Sequence, residues 1–283
     1  MTQAKIIKDS LIPTNSGLYK RVTTLELYYW RGIHAEFMTH RRFSRNASSS
    51  RAISVDRMIA DHCGFTPDNW RKATKGMQPS GIFDFDKALL LDDVWHAARD
   101  NAIQYAKHLW SRGVAKEQVN RLLEPFMFIK VLVTSTEWDN FFSLRNHPDA
   151  QYEIQKLAKE MLEAINNSVP QKRYHHLPYI DDFELAESDT KERFYKASVA
   201  RCARVSYANH DGSMADIKKD ISLFDKLITS RPMHASPAEH QVMSWNFYYD
   251  SAMKKKFPLL SISKLNGNLS PGLIQYRKLL ENI

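Results

Sequence analysis

The stretch VTTLELYYWRGIHAEFMTHRRFSRNASSSR, residues 22–51, carries the features that decide how this chain folds. Residues 22–29 are rich in β-branched and aromatic side chains, which predicts a strand. Residues 33–42 have helical character. Residues 39–51 then place four arginines, one histidine and five hydroxyl side chains in thirteen positions. A strand, a helix and a polar loop in this order predict the scaffold of a binding site.

The polar end of this stretch, residues 39–51, has the composition of an anion-binding loop. Arginine guanidinium groups bind phosphate oxygens bidentately, and hydroxyls and loop amides satisfy the remaining acceptors. We therefore expect a ligand with a phosphate or pyrophosphate, such as a nucleotide or a flavin. Composition alone leaves two alternatives open, which are a solvated turn and a contact with nucleic acid.

Composition narrows the class of protein further. The 283 residues, 43% of them apolar, suffice for one large domain or two small ones with an ordinary core. The net charge of +8 favours anionic partners without choosing between nucleic acid and phosphorylated small molecules. Cys63 and Cys202 are the only cysteines, and no apolar stretch has the length of a membrane span or a signal peptide. We expect a cytoplasmic protein without a disulfide framework.

Apolar periodicity and turn residues predict the other elements of an α+β fold. The predicted helices are residues 86–112, 116–123 and 150–165, a helical region at about 190–230, and a final helix from Pro271. Residues 126–134 and 242–249 are predicted strands, residues 63–86 a long loop, and residues 166–190 a connection.

Several blocks of the chain resemble the flavin-dependent thymidylate synthases. That family's signature is Arg-His-Arg, then seven residues, a serine, and an arginine two positions later. Here it is matched by Thr39-His40-Arg41, seven residues, Ser49 and Arg51. Thr39 replaces the first arginine of the signature, and Ala47 replaces a glutamate. Further blocks in the family's order are residues 113–121, Pro125, residues 140–145 and residues 150–154.

Two other blocks of this family occur here in a different order. The family carries Ala-Arg-Val-Ser and His-x-Ser/Thr-Pro-x-Glu-His near its N-terminus, but here they are residues 203–207 and 234–240. We infer a circularly permuted, phage-like form, which is physically permissible because domain termini are often close together. The resemblance implies one catalytic domain over residues 1–283, with an antiparallel or mixed sheet flanked by long helices. Residues 22–165 and 191–283 are its halves, joined by residues 166–190.

The resemblance also assigns roles to individual residues. The expected nucleotide-binding residues are Glu36, Ser49, Ser50, Arg51, Arg121 and Arg145. The expected flavin-binding residues are His40, Arg41, Asn140, Ser206, His234, Ser236 and Glu239. Arg145 and Ser49 are the expected catalytic residues, because a fixed positive charge at Arg145 would polarise a pyrimidine carbonyl as C5 becomes nucleophilic. His234 and His240 lack the spacing of a metal pair on one helix face, so no metal site is predicted.

The implied activity is reductive methylation of dUMP, with FAD as cofactor and with NADPH and methylenetetrahydrofolate as cosubstrates. The resemblance also implies a homotetramer whose sites combine several subunits, in the cytoplasm of a cell or of a phage-infected host. Thr39, Ala47, Ala52 and Glu36 replace family residues, so flavin- and folate-dependent hydroxymethylation of dUMP or dCMP is an alternative. A basic nucleic-acid-binding protein on the same scaffold is another, but Arg145 and residues 234–240 have no role in binding a nucleic-acid backbone.

Overall fold

A five-stranded sheet forms the centre of the first part of the chain. The computed structural model describes residues 1–76, 78–182, 191–205, 213, 215–245 and 264–281. The strands are β1 (Gln3–Pro13), β2 (Tyr19–Trp30), β3 (Ser44–Ala47), β4 (Phe128–Ser135) and β5 (Gln171–Lys172). Their order is β3-β4-β2-β1-β5, and neighbouring strands are antiparallel except β1 and β5, which are parallel. The predicted mixed sheet is confirmed.

The helices include long ones at the predicted places. They are α1 (His34–Phe37), α2 (Val55–His62), α3 (Phe85–Ser111), α4 (Lys116–Val119), α5 (Asp139–Arg145), α6 (Tyr152–Asn166), α7 (Glu192–Arg204), α8 (Ile217–Thr229) and α9 (Tyr276–Leu280). Short 3-10 segments cover Arg31–Ile33, Asn120–Phe126 and Ser236–Glu239. At the start of α3, the carboxylate of Asp84 accepts a hydrogen bond of 3.0 Å from the amide of Lys87, which caps the helix. Together the helices and strands confirm the α+β class.

The first core lies between the sheet and α6. The face of α6 predicted from periodicity is the one that packs here, with Leu157 and Met161 fully buried against Leu25 and Leu27 of β2. Burial of such side chains stabilises each by roughly 1.5–3 kcal/mol relative to exposure. This packing fixes the position of the strands whose ends carry the polar loop.

A second, three-stranded sheet belongs to the other half of the chain. Its strands β6 (His175–His176), β7 (Val242–Ser244) and β8 (Leu273–Gln275) are antiparallel in that order. A second apolar core packs against it, with Phe194 and Tyr195 of α7, Phe224 of α8 and Tyr276 of α9 as its large members. The connection predicted at 166–190 therefore contains two short strands, β5 and β6.

A buried chain of hydrogen bonds joins the two sheets. The Thr24 hydroxyl of β2 lies 2.6 Å from the Thr134 hydroxyl of β4 and 2.7 Å from His176 Nε2 of β6. The Thr134 hydroxyl is also 2.8 Å from His240 Nδ1. Burial lowers the pKa of His240 to about 3 and that of His176 well below its ordinary value. Both rings are therefore neutral at neutral pH.

Some predicted boundaries were wrong. The helix predicted at 33–42 contains only the single turn of α1, because the chain then turns so that Phe37 and Phe43 can both pack on Phe141. The helix predicted at 116–123 becomes 3-10 from Asn120 and includes Pro125.

The end of the chain also differs from its prediction. Residues 273–275 pair with β7, so the final helix begins at Tyr276 rather than at Pro271. Residues 246–249 of the strand predicted at 242–249 lie outside the described residues. Within the described part of the chain, no helix is long and apolar enough to cross a membrane.

Candidate functional site

A cleft of about 580 Å³ lies between the two halves of the chain. We call it the cleft throughout. From the first half it is lined by Asn46 and Ser49 and from the second by His234 and Ser236, with further residues around them. Its size is within the range of small-molecule sites in proteins.

Asn46 of β3 connects the two sides of the cleft. Its Nδ2 donates to the carbonyl of Cys202 in α7 at 2.8 Å, and its Oδ1 accepts from the Ser236 hydroxyl at 3.3 Å. β3 is itself held in place by its antiparallel pairing with β4. The sequence block at 39–51 and the block at 234–240 are therefore adjacent in the fold.

The loop that follows β3 carries the predicted phosphate-binding residues. Its first turn closes when the Ser49 carbonyl accepts a hydrogen bond from the amide of Ala52 at 2.9 Å. Ser49 lines the cleft, while Ser50 is buried and its carbonyl accepts from the Asn120 side chain at 2.9 Å. Asn120 thereby fixes the shape of the loop from outside the cleft.

Arg51 and Arg121, two of the predicted nucleotide-binding residues, point away from the cleft within this single chain. Arg51 is paired with Glu117 at 3.1 Å, and Arg121 is paired with Glu124. Their side chains are 76% and 58% exposed, and neither lines the cleft. Both pairs can exchange a carboxylate for an anionic ligand at little cost, because exposed ion pairs contribute little free energy.

A second group of predicted residues, Glu36, His40 and Arg145, forms what we call the Arg145 cluster. Arg145 Nη1 is 3.1 Å from the Glu36 carboxylate, and its Nε donates to His40 Nε2 at 3.2 Å. Burial and then the charges of Arg145 and Arg45 lower the pKa of His40. A neutral His40 can accept this hydrogen bond, so it orients the guanidinium. None of the three lines the cleft.

The remaining predicted flavin-binding residues lie in several places. Arg41 and Asn140 are exposed, and Glu239 is paired with Arg277 of α9. Ser206 lies outside the described residues. Its neighbour Val205 lines the cleft with a φ of +52°, a strained conformation for a β-branched residue.

The motifs do not predict four of the side chains that line the cleft, which are three cationic ones and one histidine. Arg57 and His62 come from α2, Lys130 from β4 and Arg204 from α7. Arg204 belongs to one of the quoted blocks, but α2 was not predicted at all, although Ser54 caps its first turn by accepting from the Arg57 amide at 3.4 Å. With its hydroxyls and with apolar walls that include Ile53 and Pro237, the cleft suits a ligand that has both anionic and flat apolar parts.

Comparisons with known proteins identify the family and the fold of this chain. The family model described as thymidylate synthase complementing protein matches residues 21–171, just over half of the chain. A crystal structure of the UMP/dUMP methylase PolB from Streptomyces cacaoi bound with 5-Br UMP aligns with a TM-score of 0.50 and 17% identity, covering 58% of this chain and 89% of PolB. Its structure bound with 5-Br dUMP gives a TM-score of 0.46 and 17% identity, covering 58% and 90%. No curated protein matches the chain by sequence. At this identity, the likeness to PolB shows the fold alone.

Proposed function

Because the chain belongs to the thymidylate synthase complementing protein family, we propose that it methylates C5 of dUMP in a flavin-dependent reaction. Methylenetetrahydrofolate would supply the methylene group and NADPH the reducing equivalents, and the C5 hydrogen of dUMP would leave as a proton. Such a reaction needs no protein nucleophile. This agrees with Cys202, whose thiol is fully buried, so that its pKa is raised and it is a poor nucleophile.

The observation that carries this proposal is that Ser49 lines the same cleft as His234 and Ser236. These residues belong to separate motifs of the family resemblance, and nothing in the sequence order alone places them together. The donor set fits FAD, because hydroxyls and the cationic Arg57 and Lys130 can bind a pyrophosphate beside an apolar wall. When bound there, FAD supplies the hydride-transfer chemistry.

The Arg145 cluster is the proposed site of the pyrimidine. Arg145 would donate to a ring carbonyl and stabilise the negative charge that develops as C5 becomes nucleophilic. Ser49, Ser50, Arg51 and Arg121 would bind the nucleotide phosphate. Within one chain, the Arg145 cluster shares no residue with the lining of the cleft. We therefore propose a homotetramer in which residues of different subunits complete each nucleotide site.

Glu36 favours a second candidate substrate, dCMP. A carboxylate only accepts hydrogen bonds, and cytosine presents an amino donor at C4 where uracil presents a carbonyl acceptor. If water instead of hydride captured the methylene group, the product would be a 5-hydroxymethyl nucleotide. The mass of the product separates these outcomes from methylation of dUMP.

The test is the binding of FAD together with release of hydrogen from C5. Purified protein is expected to take up FAD, seen as flavin absorbance, and to release tritium from C5-labelled dUMP only with both methylenetetrahydrofolate and NADPH. Ser236→Ala should weaken FAD binding by roughly threefold to tenfold, the value of one hydrogen bond. Ser111→Ala, at the last residue of α3 and outside the residues that line the cleft, is the matched control. A protein that binds neither FAD nor a pyrimidine nucleotide would refute the proposal.

A further inference from the structure

Arg45 of β3 holds the turn that leads from α1 to the polar loop. Its Nη1 donates to the carbonyl of Met38 at 2.5 Å and to the carbonyl of His40 at 3.2 Å. Hydrogen bonds from a charged guanidinium are stronger than those between neutral groups. Within the same turn, the Thr39 hydroxyl donates to the carbonyl of Glu36 at 2.7 Å. The backbone that carries Glu36 and His40 is therefore fixed in part by a strand that follows it in the sequence.

The family signature assigns no role to Arg45. Residue 45 is one of the seven positions that the signature leaves open, whereas the first arginine of the signature is replaced by Thr39. Arg45 binds the carbonyls of Met38 and His40, the residues on either side of Thr39 in the chain. This turn therefore receives from β3 a guanidinium that its own residue 39 lacks.

β3 presents neighbouring side chains to two different parts of the molecule. Successive side chains of a strand point to opposite faces of a sheet. Asn46 contacts the Cys202 carbonyl and the Ser236 hydroxyl at the cleft, whereas Arg45 reaches the turn at residues 38–40. One strand thus supports the cleft with one side chain and the Arg145 cluster with the preceding one.

We propose that Arg45 is a positioning residue for the reaction at the Arg145 cluster. Arg45 holds the backbone of His40, and the His40 ring accepts a hydrogen bond of 3.2 Å from Nε of Arg145. Arg45 thus acts on Arg145 through His40 and not by contact with the pyrimidine. This role rests on the proposed methylation of dUMP, in which Arg145 stabilises the developing charge. Displacing a catalytic group by about 1 Å can lower turnover by roughly 100-fold.

The positive charge of Arg45 supports the same role. The surroundings of His40 include the charged side chains of Arg45 on β3, Arg145 on α5 and Glu36 on α1, the last bound to Arg145, and the rings of Phe43 and Phe141. Burial, then the charge of Arg145 and then that of Arg45, lower the pKa of His40. Only a neutral imidazole can accept a hydrogen bond from Arg145. Arg45 therefore favours the protonation state of His40 that orients Arg145.

The first experiment replaces Arg45 by methionine, which removes the charge and the donors but keeps much of the length of the side chain. In Arg45→Met, kcat for dUMP is expected to fall by roughly 10–100-fold, while KM for dUMP and the affinity for FAD stay within about twofold of wild type. Steady-state kinetics and titration with FAD measure these effects. Arg42→Met, at an exposed arginine paired with Glu137, is the matched control and should keep wild-type kinetics.

Two outcomes of this experiment would overturn the proposal. The first is an unchanged kcat in Arg45→Met. The second is weaker binding of FAD or a higher KM with kcat unchanged, because Arg45 would then bind a ligand directly instead of positioning Arg145.

The second experiment follows the protonation of His40 by NMR and needs no activity. The pKa of its ring should be higher in Arg45→Met than in wild type, because a nearby positive charge has been removed. His40 is then protonated at a higher pH, so the variant should lose activity at a higher pH than wild type as the solution is acidified. Arg45→Lys keeps the charge and a donor, and should restore the wild-type pKa and part of the turnover.

The NMR titration separates this inference from the proposed function. A pKa of His40 that is the same in Arg45→Met and wild type would overturn the link between Arg45 and the Arg145 cluster. If wild-type protein released no tritium from dUMP, the proposed reaction would fail, and a raised pKa of His40 in Arg45→Met would still support that link.

Discussion

Arg145 is the residue on which the proposed chemistry depends most. Removing its guanidinium by Arg145→Ala should lower the turnover of dUMP by roughly 10²–10³-fold, the usual loss when a donor to developing negative charge is removed. FAD binding should stay unchanged, because Arg145 does not line the cleft. Steady-state kinetics and a titration with FAD, followed by flavin fluorescence, measure the two effects separately.

The matched control is Arg42→Ala, which removes an arginine of the same region that is paired with Glu137. The pKa of His40 provides an independent readout, since the charge of Arg145 is one of the causes that lower it. It should rise in Arg145→Ala, as seen by NMR titration of the ring. Unchanged turnover in Arg145→Ala would exclude Arg145 from the reaction.

At the scale of single residues, the sequence indicated which residue types matter but not which other residues they contact. Ser49, His234 and Ser236 were selected from motifs, and the structure places them around one cleft. The pairing of Arg51 with Glu117 depends on the packing of α4 beside the loop, which no local pattern encodes. The roles of all these residues in binding remain predictions.

At the scale of elements, the 3-10 segment Asn120–Phe126 supports the polar loop. The buried side chain of Asn120 donates through its Nδ2 to the backbone carbonyls of Ser50 and Ile53 at 2.9 and 3.4 Å. Asn120→Ala should therefore lower the free energy of unfolding by about 1–3 kcal/mol, the cost of leaving buried polar groups unpaired. Urea denaturation measures this loss.

Gln118→Ala, an exposed change on the preceding turn, is the control and should stay within about 0.5 kcal/mol of wild type. The variant Asn120→Ala should also bind nucleotide more weakly, because Ser49 and Arg51 belong to the loop that Asn120 holds. Equal stability of the two variants would show that these hydrogen bonds do not fix the loop.

Long elements with a regular pattern were predictable, and short or irregular ones were not. The periodicity of residues 150–165 and the β-branched residues at 126–134 predicted α6 and β4 because each element has one dominant buried side. β1 was not predicted, since an irregularity between Ile6 and Lys8 interrupts its alternation and the charged Asp9 is among its buried residues. Residues 273–275 form a strand only because β7 offers them a partner.

At the scale of the whole molecule, the two halves are held together by contacts between residues far apart in the chain. Thr24, Thr134, His176 and His240 come from four separate segments and meet in one buried hydrogen-bonded chain. The spacing of His240 from His234 predicts no metal pair, and only the tertiary fold supplies its partner, Thr134. The rings of His176 and His240 are neutral in the folded protein, because burial lowers the pKa of each. The junction between the two halves is therefore sensitive to acid.

The last prediction concerns this sensitivity. In the unfolded chain both histidines titrate near pH ~6.5, but burial lowers the pKa of His240 to about 3 and that of His176 well below its usual value. At pH values between ~6.5 and these lowered pKa values, the two histidines bind protons in the unfolded chain but not in the folded chain. The free energy of unfolding should therefore fall as the pH drops below about 6.5, by up to ~1.4 kcal/mol per pH unit for each ring.

Urea denaturation at several pH values between 7 and 4 measures that slope. His240→Asn can keep a hydrogen bond to Thr134 but has no titrating group, so its slope should be smaller than that of wild type by about 1.4 kcal/mol per pH unit. His147→Asn, the same replacement at an exposed position, is the matched control. If His240→Asn lost stability in acid as steeply as wild type, His240 would already be protonated in the folded protein. The junction between the halves would then have to accommodate a charged ring.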